Sequence, residues 1–124
     1  MLGSREIVAF VPTRNAKKAR SFYEGVLGLK FISEDAFALV MKGHHTMIRV
    51  AIVPNFKPHP FTILGWVVPD IHRAVAALTK RKVHFEQYGL NDQEPTGIWK
   101  SPSGASVAWF KDPDGNVLSL TQMP

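Results

Sequence analysis

The chain has no cysteine. That excludes a disulfide framework, a thiolate metal site and a cysteine nucleophile. It also lacks any apolar run near the roughly 20 residues a helix needs to cross a bilayer. The opening Met1-Leu2-Gly3-Ser4-Arg5-Glu6 does not follow the basic-then-apolar order of a signal peptide. These absences point to a cytoplasmic protein with no membrane partner. Carboxylates are in the minority, 10 Asp+Glu against 15 Lys+Arg, for a formal net charge of +5. The excess gathers at Lys17-Lys18-Arg20 and Lys80-Arg81-Lys82, on or beside expected helices and without interleaved aromatics. Both clusters read as solvated helix faces, so no nucleic-acid partner is expected.

What is present is an ordinary globular composition: 124 residues, 45% hydrophobic and 20% charged. That suits one domain over residues 1–124. Its most legible stretch is Phe110-Lys111-Asp112-Pro113-Asp114-Gly115-Asn116-Val117-Leu118. Asp-Pro-Asp-Gly is a turn, because Pro presets φ and Gly accepts a conformation closed to bulkier residues. Apolar runs enter it from Val107 and leave it to Leu120, which makes a hairpin.

Earlier in the chain, Glu6–Val11 reads as a strand ending at Pro12. Asn15 is a helix N-cap, followed by Ala16, Ala19, Phe22 and Val26 at helical spacing. Leu29–Ile32 is a strand, and Ala36–Met41 with Met47–Val53 is a hairpin across Lys42–His45. The connector 54–61 is rich in proline. The order then repeats: strand Thr62–Val68, helix N-cap Asp70, inward Ile71, Ala74, Val75 and Leu78, strand Val83–Glu86, then the closing hairpin. Asn15, Ala16, Ala19 and Tyr23 line up with Asp70, Ile71, Ala74 and Leu78. Phe37–Val40 and Met47–Val50 line up with Val107–Phe110 and Val117–Leu120. A repeat of about 60 residues marks two supersecondary units that bury their sheets together. Residues 87–104 form a long polar loop. A lid and an inert excursion both fit it.

The doubled β-α-β-β-β order, the run Ser21-Phe22-Tyr23-Glu24-Gly25-Val26-Leu27-Gly28-Leu29 and the Phe110–Leu118 motif together resemble the vicinal oxygen chelate superfamily. That group includes glyoxalases, extradiol dioxygenases, fosfomycin resistance enzymes and bleomycin resistance proteins. The resemblance implies an α+β fold: two paired βαβββ modules, 5–53 and 62–122, form a curved mixed sheet around a cleft, with helices outside. Metal-dependent members draw ligands from four strand positions. Carried over, these are Val8, Arg49, Ile63 and Ser119, none a usual ligand: two aliphatic side chains, one cation and one hydroxyl. No metal and no cofactor are therefore expected.

Strand alternation places Val8, Phe10, Met47, Arg49, Phe61, Ile63, Ser119 and Thr121 along the cleft. Ile7, Ala9, Ile48, Val50, Leu64, Trp66, Leu118 and Leu120 alternate to the helix side. A mainly apolar cleft with a few polar groups suits a small molecule. Arg49 either clamps an anionic group or pairs with Glu6 to hold the fold. Phe10, Phe61, Trp99 and Trp109 are candidates to stack on a planar ligand.

The favoured reading is a metal-independent small-molecule-binding protein similar to the bleomycin resistance branch. Its ligand is apolar or aromatic, and neutral or anionic given Arg49. The alternative is a glyoxalase-like lyase or isomerase with a non-standard or absent metal site, using Glu6 or His84 as base against an enolate held by Arg49. A third is a partner-binding module. A homodimer is expected, because two short modules leave sheet edges uncovered.

Overall fold

Eight strands and two principal helices follow one another as a doubled β-α-β-β-β order in the computed structural model, which describes residues 1–124. The chain divides into two compact units, Met1–Lys57 and Pro58–Pro124.

In the first unit, β1 (Val8–Thr13) is followed by α1 (Ala16–Arg20), β2 (Lys30–Glu34), β3 (Ala38–Gly43) and β4 (Thr46–Ile52). The sheet order is β1-β4-β3-β2, with β1 and β4 parallel and the other neighbours antiparallel. Asn15 caps α1 by accepting the Lys18 N–H at 3.0 Å. The helix then widens into a π-turn over Ser21–Val26, where the Leu27 N–H reaches the Phe22 carbonyl at 2.9 Å. Gly28, at φ +79°, lets the chain turn back so that the Leu29 N–H bonds the Tyr23 carbonyl at 2.9 Å. The motif from Ser21 to Leu29 is thus a helix-exit device that sets Tyr23, fully buried, against the sheet core. That core is Val11, Leu39, Met41, Ile48 and Val50, all on the helix side. Each such side chain contributes about 1.5–3 kcal/mol by leaving water.

The second unit holds β5 (Thr62–Val67), α2 (Ile71–Lys80), β6 (Trp99–Lys100), β7 (Ser106–Lys111) and β8 (Val117–Gln122), in sheet order β5-β8-β7-β6. Asp70 caps α2 by accepting the Arg73 N–H at 3.1 Å. Ile71 and Val75 turn inward, and Leu118, Leu120, Ala108 and Phe110 form the buried helix-side rows of β8 and β7.

Two expectations need correcting. Val83–Glu86 is not a full strand: Phe85 makes a single bridge to Phe110, and the Glu86 N–H bonds the Trp109 carbonyl at 2.8 Å. The reason is that two segments share the β7 edge. Trp99 and Lys100, from within the expected loop, take Val107 and Ser106. Ile7 does not pack beneath a helix. It precedes β1 and is 73% exposed.

Candidate ligand-binding site

Four of the expected residues share one face of the first sheet. Val8 lies opposite Met47, and Phe10 lies opposite Arg49. On the other flank of β4, Val40 stands opposite Arg49 and Lys42 opposite Met47. This face is turned away from α1. Its apolar residues remain open to solvent: Val8 is 41% exposed, Met47 43% and Phe10 63%.

Arg49 sits at the centre of this face, half-buried. No carboxylate lies within salt-bridge distance of it, and Glu6 lies outside β1 and is exposed. The expected Arg49–Glu6 pair is not formed. Asp35, just before β3, interacts with Arg49 electrostatically. Its carboxylate is held below the usual range first by the Phe37 and Ala38 N–H groups, against desolvation, and last by Arg49. Arg49 is thus left as a cation with donors to offer.

In the second unit, Ser119 and Thr121 share the helix-free face. Ser119 stands between Gly65 and Trp109, and Thr121 between Val67 and Val107. Ser119 is buried at 8% exposure. A Cβ at Gly65 would come to 2.5 Å from the Ser119 Oγ, so the glycine makes room for the serine. Ile63 leaves the ladder, because it sits at the register shift between Thr62 and Leu64. Phe61 precedes β5 and stacks on His59 with ring centroids 4.9 Å apart.

The same face carries an aromatic group that alternation only half foresaw. Trp99 lies 6.0 Å from Trp109 between ring centroids, and Tyr88 meets Trp109 edge-on at 5.4 Å. Tyr88 sits in the long loop, outside any strand pattern, so no sequence signal marks it. Burial first, then the Glu86 carboxylate, raises the Tyr88 phenol above its ordinary value, with Lys111 opposing. It is a protonated donor at neutral pH. Glu86 itself is held by Lys111 at 3.3 Å, with His84 at 3.5 Å. The His84 side chain is 85% exposed.

No group of three or more His, Asp or Glu side chains comes together to hold a metal ion. No helix is long and apolar enough to cross a membrane.

Known proteins supply an independent comparison. Residues 7–120 match the family profile described as Glyoxalase/Bleomycin resistance protein/Dioxygenase superfamily. No curated protein matches the chain. Among solved structures, an antibiotic binding protein, TnmS3, from Streptomyces sp. CB03234 is 24% identical at a TM-score of 0.76, over 100% of this chain and 99% of that one. A Glyoxalase/bleomycin resistance protein/dioxygenase superfamily member from Sphaerobacter thermophilus DSM 20745 is 22% identical at 0.76, over 98% and 99%. A lactoylglutathione lyase from Agrobacterium tumefaciens is 16% identical at 0.71, over 96% and 93%. At these identities the likeness is one of fold.

Proposed function

Because the chain belongs to the Glyoxalase/Bleomycin resistance protein/Dioxygenase superfamily, we propose that it is a metal-independent small-molecule-binding protein. Its ligand is an apolar or aromatic molecule carrying an anionic group. The observation that carries this reading is Arg49, without a carboxylate partner and set among exposed Phe10, Met47 and Val8. Such a face supplies apolar area for a ring and a planar fork of donors for a carboxylate. One neighbour in fold is an antibiotic binding protein, a kind of activity that needs complementarity but no acid, base or nucleophile.

The superfamily's metal positions do not fit a divalent ion here. Val8 and Ile63 have no donor atom, Arg49 is a cation, and Ser119 offers one neutral hydroxyl.

Thermal unfolding with 2-naphthoate and, separately, with divalent ions tests the reading. At 100 times its Kd the carboxylate should add about 2.7 kcal/mol of stability. Nickel, zinc, manganese and iron should leave the midpoint unchanged. Arg49→Met should weaken 2-naphthoate about 10- to 100-fold, the size of a hydrogen bond to a charged group. Equal binding by the variant would sink the anion role, and stabilisation by a metal ion would sink metal independence.

We also propose that the working form is a homodimer. Strands β1, β2, β5 and β6 all lie at sheet edges, and unpaired edges are commonly covered by a second copy. Light scattering on a sizing column should give twice the chain mass. A single-chain mass at micromolar concentration would refute it.

A further inference from the structure

A second cavity lies on the opposite side of the second sheet, against α2. Its volume is about 440 Å³, within the usual range of small-molecule sites. Val75 and Ala76 of α2 form one wall, and Phe85, Pro95 and Ile98 form the other. Phe85 bridges Phe110, whose ring belongs to the buried helix-side row, so this groove is separate from the face bearing Ser119 and Trp109.

A clasp between α2 and the loop stands beside it. His72 Nε2 lies 3.1 Å from Glu94 Oε2, and Thr96 donates to Glu94 Oε1 at 3.1 Å. Gln87 spends its amide hydrogens on the Glu94 and Pro95 carbonyls, at 3.0 and 3.2 Å. Its side-chain oxygen, an acceptor, is not committed by those bonds. Gln93 ties the loop to itself through the Glu86 and Gly97 carbonyls. The long segment is thus a built wall rather than a loose excursion.

The charge pattern here is the reverse of that around Arg49. No Lys or Arg lines the groove, and its ionisable lining groups are the His72 and His84 imidazoles, His72 also holding Glu94 beside it. A carboxylate or phosphate would be desolvated there without a fixed cation. A hydroxyl would find the Gln87 side-chain oxygen and the Thr79 hydroxyl, both among the lining residues, as acceptors.

We propose that this groove is a second ligand site, selective for small apolar molecules with a neutral hydrogen-bond-donating head, such as a phenol. The site depends on neither Arg49 nor the proposed dimer.

The test is a titration of the isotope-labelled full chain with 4-methylphenol, and in parallel with 4-methylbenzoate, followed by amide chemical shifts. The expected result is that the phenol perturbs Val75, Ala76, Phe85 and Ile98. The benzoate should bind there about tenfold more weakly or worse, for lack of a cation. Ala76→Phe, at an exposed helix position, should fill the groove and abolish the phenol shifts. Ala76→Leu serves the same end with a smaller side chain. The proposal is overturned if neither compound perturbs these residues or if the benzoate binds there equally. It also fails if the phenol shifts appear only at Gly65, Trp109 and Ser119. Failure of the 2-naphthoate experiment leaves this one standing, and the reverse holds.

Discussion

Asp112→Ala should lower the unfolding free energy by about 3–5 kcal/mol, since buried donors left without an acceptor cost about 1–3 kcal/mol each. The Asp112 carboxylate is the hub of the turn between β7 and β8. Oδ1 accepts the Asp114 and Asn116 N–H groups, both at 2.9 Å, and Oδ2 accepts the Asn116 side-chain amide at 2.9 Å. Asp112 is 6% exposed and Asn116 2%, so water does not easily replace the lost acceptor. The backbone closes the same loop, with the Gly115 N–H on the Asp112 carbonyl at 3.0 Å. Asp112→Asn is the informative companion. It keeps the shape and one acceptor oxygen but sets an NH₂ against the Asn116 amide, so about 1–2 kcal/mol should be lost. Equilibrium urea unfolding of both variants decides it. A loss below about 1 kcal/mol in Asp112→Ala would mean that water substitutes freely for the carboxylate.

The turn itself was legible, because Pro113 presets φ and Gly115 takes φ +89°, whereas the Asp112 carboxylate as its acceptor hub was not. The two N-caps, Asn15 and Asp70, were legible too: a side-chain oxygen two or three residues before a helical N–H is a local signal. The doubled order of elements followed from them. Val83–Glu86 misled because its composition is that of a strand, while the partner edge it would need is shared with Trp99 and Lys100. Which segment pairs with an edge is a long-range outcome, and no window of residues contains it.

The candidate site divides along the same line. Val8, Phe10, Met47 and Arg49 follow from alternation in two regular strands, and the registers Val8–Met47 and Phe10–Arg49 set them side by side. Ile63 and Phe61 fail because alternation presumes an unbroken ladder, whereas the register shifts between Thr62 and Leu64. Tyr88 and the groove under α2 arise from loop residues that meet only after the chain has folded. Ile7 shows the opposite limit: a β-branched residue in a strand-like run, left outside the strand, whose pairing with β4 begins at Val8 opposite Met47.

Gly97→Ala should cost about 3 kcal/mol, the sum of a backbone and a packing penalty. Gly97 stands at φ +97°, where a side chain strains the backbone by about 1–2 kcal/mol. An added Cβ would also lie 2.7 Å from the Phe85 Cβ. That atom cannot swing away, because Phe85 is 6% exposed and its backbone is bridged to Phe110. Something in the 83–98 wall must shift, at about a further 1–3 kcal/mol. Gly89 isolates the two effects. It has φ +66° but nothing within 4 Å of a built Cβ, so Gly89→Ala should cost only the backbone part, about 1 kcal/mol. The difference between the variants in urea measures how rigidly the wall is fixed to the sheet. A pair of equal, small losses would make the wall compliant, and the groove it bounds would then have no defined shape to select a ligand. A large difference means that the groove is preorganised, so that binding there does not first have to order the loop.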